Sequence, residues 1–300
     1  MVTMETTQSQ AMSAGTNTPE PVIRQRTKTR WLTHILLILV CFFVAIPALY
    51  AVQVSTLTLD QSFISPPQLF PPGNDFGANV ETLFEQRDFA QLIYNTTIIT
   101  LVVVIVKTVL ALLAGLAFVY FRFPGKWVLF FVILLTLLMP TEIILFPLFR
   151  LVADLEWIQT NPKLALTMPF LATAVGVFLF RQHFNNMPRE LAEAAQIDGA
   201  TPLRFLFAVL IPMSWNVIGA HAMIQFISMW NQYIWPTLVI TNNMSEQVIQ
   251  VGVRQAAISG SQSDFGLLMT AGLIASVPPL LLFVALQKQF MNGFAITRDK

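Results

Sequence analysis

With 300 residues and a formal net charge of +1, the chain is long enough for one or two soluble domains, yet it is 55% hydrophobic and only 11% charged. That balance lies far from soluble norms, and a mean hydropathy of +0.65, with the apolar residues in long blocks, predicts an all-α integral membrane protein. The near-neutral charge leaves no footprint for nucleic acid, and one cysteine, Cys41, cannot form a disulfide or a cysteine-based metal framework within the chain.

In chain order, residues 1–30 are polar, rich in Thr, Ser and Gln, and end in the basic cluster Arg24, Arg26, Lys28 and Arg30. They are expected to form a disordered cytoplasmic tail. Six apolar blocks follow, at about 31–54, 90–120, 127–149, 165–185, 208–240 and 265–290. Each meets the roughly 20 residues needed to cross about 30 Å of hydrocarbon as a helix. The first is too long for a signal-peptide core and lacks a small-residue cleavage site, so it reads as a retained span. Of the 17 Lys and Arg, twelve fall on one side (Arg24, Arg26, Lys28, Arg30, Arg122, Lys126, Arg181, Arg189, Arg204, Lys288, Arg298, Lys300) and four on the other (Arg87, Arg150, Lys163, Arg254), with Lys107 inside a span. That bias places both termini, and the loops near 122–126 and 181–204, in the cytoplasm.

Between the first two blocks, Pro66, Pro67, Pro71, Pro72 and Gly73 are interleaved with Phe63, Phe70 and Phe76. Such punctuation predicts an extracytoplasmic loop without regular helix, either a solvated connector or a surface for a partner. The chain contains no P-loop or Gly-rich nucleotide fingerprint, so any energy from ATP would have to enter through another subunit, and no cofactor is expected on this chain. His34, His183 and His221 are too scattered for a metal site, and no nucleophile arrangement supports an intramembrane enzyme.

The most patterned stretch joins the fourth and fifth blocks, Met187-Pro188-Arg189-Glu190-Leu191-Ala192-Glu193-Ala194-Ala195-Gln196-Ile197-Asp198-Gly199-Ala200-Thr201-Pro202. Good helix formers run from Arg189 to Ile197, Pro188 suits a first turn, Gly199 suits a left-handed stop, and Pro202 can open the next helix. Ala194 and Ala195 offer a face without bulk, flanked by Glu190, Glu193 and Asp198. The segment reads as a docking surface.

Glu193-Ala194-Ala195, Gly199 four residues on, and Ile211-Pro212 beyond resemble the hallmark of the binding-protein-dependent permeases of ATP-binding-cassette importers, with Ile211 where the family usually has Leu. Asn95-Thr96, Phe121-Arg122-Phe123-Pro124-Gly125-Lys126, and Asn231 with Trp235-Pro236 are similar to the carbohydrate-uptake (MalG-like) members. Phe178-Leu179-Phe180-Arg181-Gln182 and Trp230-Asn231-Gln232-Tyr233-Ile234-Trp235-Pro236 most resemble the second permease subunit of glycerol-3-phosphate importers. The likeness covers residues 31–295 and leaves out the tail. It implies the six-span type I importer (MetI-like) permease fold, a permease domain over 31–295 and a coupling loop over 187–204. Glu190, Glu193, Ala194, Ala195, Asp198 and Gly199 would then form a coupling helix seated in an ATPase groove, with Glu193 reaching a basic residue there.

The resemblance also implies partners: a second homologous permease subunit, a dimer of ATP-binding subunits that carry ATP and Mg, and an extracytoplasmic substrate-binding protein, all at a bacterial inner membrane. The implied cargo is glycerol-3-phosphate or a glycerophosphodiester. A neutral oligosaccharide such as maltose or trehalose is the alternative.

A charge inside the bilayer is costly enough to demand a partner or a watery cavity. Lys107 therefore either attracts an anionic substrate or pairs with Glu142, the acidic residue just after the helix-bending Pro140. In the fifth block, Gln225, Trp230, Asn231, Tyr233 and Trp235 concentrate amides and rings, which suit either a substrate pathway or an interfacial aromatic belt.

Overall fold

The computed structural model describes residues 30–62, 70, 72–241, 244–259 and 262–294, with the side chains of Thr141 and Glu142 among those outside that description. The expected disordered tail and most of the Pro-rich loop, including Phe63, Pro66, Pro67 and Pro71, also lie outside it. The residues up to Pro47 and those from Ala48 form two compact units. In the first, helix α1 (Arg30–Val54) begins. Its 25 residues rise about 37 Å, and apolar side chains from Trp31 to Ile46 are exposed along it, as a helix dissolved in lipid requires.

The second unit opens with one-turn α2 (Leu59–Ser62) and α3 (Phe76–Gln86), followed by the 32-residue α4 (Phe89–Tyr120). Lacking proline, α4 runs unbroken and supplies residues to all three apolar clusters. Leu92 and Val104 join Leu83, Phe226, Trp230 and Ile249; Ile99 and Val103 join Val152, Ala165 and Trp235; Ala111, Leu112 and Leu116 join Phe180, Phe184 and Leu210. Then come α5 (Lys126–Thr136), α6 (Thr141–Asp154), α7 (Trp157–Thr160), α8 (Pro162–Thr167), a 3-10 turn and α9 (Ala174–Asn185). Between α4 and α9 a side chain at Gly115 would meet Phe180 Cβ at 2.8 Å, and one at Gly176 would meet Ala111 Cβ at 2.8 Å. The small residues are what let these two backbones approach, the usual device for packing helices in lipid.

The chain continues through α10 (Arg189–Ile197), α11 (Pro202–Phe205), a π-helical turn (Leu206–Leu210), α12 (Ile211–Met213), α13 (Trp215–Trp230), α14 (Ile234–Val239) and α15 (Ile249–Ala256). A two-residue hairpin, β1 (Ile258–Ser259) with β2 (Gln262–Ser263), precedes the final α16 (Phe265–Phe294). Buried Asn95 donates from Nδ2 to Ser245 O at 2.7 Å, and Thr96 Oγ1 accepts from Ile249 N at 2.8 Å. The Asn-Thr pair therefore satisfies the backbone entering α15, which lipid could not do.

The span count differs from expectation. Among the described residues four helices are long and apolar enough to cross a membrane, or five if the pair 202–213 and 215–230, bent by 82°, counts as one crossing. The expected third span is cut in two because Pro140, extended at φ −60 and ψ 132, separates α5 from α6; proline has no amide to donate and disfavours helix in the residue before it. The fifth block bends at Ser214, where the π turn and Pro212 disrupt the ladder, and it is interrupted again at 231–233. Even so, the architecture is the all-α one expected, with one minimal hairpin.

Candidate functional site

The patterned segment folds as its residues dictate. Pro188 is extended at φ −56 and ψ 130, and α10 follows directly. At its end Gly199 adopts φ +69, Ala200 N donates to Ala195 O at 2.9 Å and Gly199 N to Gln196 O at 3.0 Å. This is the Schellman stop, whose left-handed residue favours glycine. Thr201 then caps α11 by accepting from Arg204 N at 3.3 Å, with Pro202 at the first helical position.

The two faces of α10 have different surroundings. Leu191, Ala192 and Ala195, with Met187, pack on the third cluster beneath, around Phe180, Phe184, Leu206 and Leu210. Glu190, Glu193, Ala194 and Ile197, at i, i+3, i+4 and i+7, form one exposed stripe, and Asp198 and Gly199 are exposed at its end. Ala194 and Ala195 therefore do not share a face. Ile197, which sequence reasoning counted only as a helix former, is 87% exposed and supplies the large apolar group of the stripe. Its spacing of four from Glu193 was the signal that could have found it.

Lys107 lies on α4, and its Nζ donates to Gln225 Oε1 of α13 at 2.9 Å. Buried His221, also on α13, lies edge-on to Phe180 with ring centroids 5.4 Å apart. The buried His221 Nε2 and Thr108 Oγ1 have no hydrogen-bond partner among the described residues. Glu142 opens α6 in sequence beside Thr141, and the Lys107–Glu142 pairing rests on a side chain outside the described residues.

The aromatic group divides. Trp230 is fully buried, stacks on Phe226 at 5.5 Å, and donates from Nε1 to Ala275 O at 3.0 Å. Trp235 is 2% exposed and donates to Ala165 O at 3.1 Å. Both indoles are thus committed to packing and backbone carbonyls. Asn231, in the break after α13, is exposed and accepts from Gln250 Nε2 at 3.1 Å. It borders two cavities of about 380 Å³ each, one with Gln250 and Ser276, the other with Tyr233 and Phe170.

A mainly α-helical chain with this much exposed apolar surface on long helices is an integral membrane protein. Residues 107–294 match the family described as binding-protein-dependent transport system inner membrane component, and the chain belongs to that family. It is 34% identical over 285 residues to the sn-glycerol-3-phosphate transport system permease protein UgpE of Agrobacterium fabrum, covering 92% of this chain and 99% of that protein. UgpE of Pectobacterium atrosepticum is 33% identical over 269 residues, covering 87% and 94%. A crystal structure of a bacterial ABC transporter involved in the import of the acidic polysaccharide alginate shares the fold, with TM-score 0.73 and 21% identity over 88% of this chain and 98% of that one.

Proposed function

We propose that this chain is one permease half of an ATP-driven bacterial importer for glycerol-3-phosphate or a glycerophosphodiester such as glycerophosphocholine. The observation that carries the reading is the 34% identity that runs from end to end of a permease named for sn-glycerol-3-phosphate. The neutral-oligosaccharide alternative has no comparable support. The permease domain spans 31–295 behind a cytoplasmic tail over 1–30, with both termini inside. A second, homologous permease completes the path, an external binding protein delivers substrate, and two ATPase subunits carry ATP and Mg.

In this reading the stripe Glu190, Glu193, Ala194 and Ile197 seats in a groove of the ATPase, with Asp198 and Gly199 at its edge. Small Ala194 admits close approach, Ile197 fills an apolar pocket, and Glu193 meets a basic side chain. When the ATPase pair closes, α10 moves with it. Ala195 and Leu191 pack on the apolar cluster that includes Leu206 and Leu210 of the π turn, so the push would pass through that cluster and α12 toward α13, which carries Gln225 and ends just before Asn231. The substrate phosphate then meets Lys107, and glycerol hydroxyls meet the amide of Asn231 and the ring of Tyr233, with Glu142 at the start of α6 shaping the path. Trp230 and Trp235 hold that elbow in place.

Uptake of labelled glycerol-3-phosphate into vesicles that contain the chain with its partner permease, ATPase and binding protein tests the proposal. Transport should require ATP and every subunit. Transport of maltose or trehalose but not of the phosphate ester would refute the substrate.

A further inference from the structure

Three cations belong to the start of α5: Arg122 in the segment before it, Lys126 at its first position, and Arg181 of α9, which packs on Trp127 and Phe130 of α5. The Arg181 guanidinium carbon lies 4.2 Å from the centroid of Phe130 and 5.0 Å from that of Trp127. Two rings thus hold the guanidinium beside α5 by cation–π contact, and no acidic side chain among the described residues neutralises it there. Lys126 Nζ donates to Phe121 O at 3.0 Å, using one of its three donors. Partial burial and then the like charges of Arg181 and Arg122 hold the Lys126 ammonium below its ordinary pKa. The sequence supplies no local relief, since no Asp or Glu occurs between Asp88 and Glu142 or between Glu156 and Glu190.

Next to this group the surface turns apolar. Trp127 is 67% exposed, and Val128 and Phe131 are exposed beside it, as lipid-facing side chains are. The first amides of α5 add positive potential at the same point, because Gly125 provides no side-chain cap. A concentrated positive charge at the edge of a lipid-facing face matches a ligand with an anionic head and an apolar tail; free phosphate would leave the apolar part unused.

We propose that Arg122, Lys126 and Arg181 bind the phosphate of an anionic phospholipid whose acyl chains lie along Trp127, Val128 and Phe131. The site is independent of what the chain transports. Near a membrane surface each cation contributes roughly a fivefold preference for anionic lipid.

The test uses the assembled transporter in vesicles of phosphatidylcholine mixed with phosphatidylglycerol, with spin-labelled versions of each lipid reporting which is immobilised at the protein. The native complex should favour phosphatidylglycerol, and Arg181→Gln, Lys126→Gln and Arg122→Gln should each cut that preference about fivefold. Arg181→Lys, which keeps the charge, should retain most of it and so separates charge from folding. An unchanged preference in all three neutral variants would overturn the site. So would loss in Arg181→Lys equal to that in Arg181→Gln, or full displacement of the lipid by inorganic phosphate alone.

Discussion

Lys107 and Gln225 meet across α4 and α13, with the Lys107 Nζ 2.9 Å from Gln225 Oε1. A neutral amide satisfies one of the three ammonium donors without cancelling the charge. On the function proposed above, the charge that this amide leaves in place is what the substrate's phosphate would meet.

Lys107→Met should lower glycerol-3-phosphate uptake by about tenfold to a hundredfold, the range of a lost charge-assisted hydrogen bond of about 1.5–3 kcal/mol, while the complex still assembles. Uptake assays beside co-purification of the subunits check this. Loss of assembly with every substrate would make Lys107 a structural residue.

Because Ile197 is 87% exposed in this chain, Ile197→Ala should leave thermal stability within about 0.5 kcal/mol. It should nevertheless weaken ATPase association by about 1–2 kcal/mol if the side chain fills a pocket on the partner. Thermal unfolding and subunit binding, measured on the same preparation, separate the two effects.

Gly199→Ala puts a Cβ on a residue at φ +69, at a cost of about 1 kcal/mol. With nothing within 4 Å of that Cβ, the strain falls on the Schellman stop and on the direction in which α11 leaves. ATP hydrolysis uncoupled from uptake, with near-normal expression, is the expected outcome. Full coupling would show that the turn need not be rigid.

At the elbow, Trp230→Phe removes the donor to Ala275 O and should destabilise the chain by about 1–3 kcal/mol through the orphaned carbonyl. Asn231→Ala, at an exposed position between two cavities, should change uptake with little effect on stability. The reverse pattern would exchange their roles.

Much of this was legible in the sequence. Long apolar blocks, the caps at Pro188, Gly199 and Thr201, and the Glu-Ala-Ala segment need only composition and local backbone chemistry, and α10 ends where Gly199 says it should. What stayed hidden depends on direction. Hydropathy shows that 208–240 is apolar but not that the chain turns 82° at Ser214. Pro140 announced a bend, whereas the structure has a break, because Leu137 to Pro140 leave the helix altogether. Charge complementarity offered Glu142 as a partner of Lys107, a pairing that falls on a side chain outside the described residues; what the sequence did not offer is the bond to Gln225, a neutral amide on another helix. For Trp230 and Trp235 the sequence left open a substrate pathway or an interfacial belt; what it could not show is that each indole N–H faces a backbone carbonyl.

The most direct test of the docking role labels position 197. In a Cys41→Ser background, Ile197→Cys is exposed in vesicles to a membrane-impermeant maleimide, with the vesicles in either orientation, with and without the ATPase subunits. The expected result is labelling from the cytoplasmic side alone and protection once the ATPase is bound. Labelling from outside the cell, or equal labelling with the ATPase present, would contradict it.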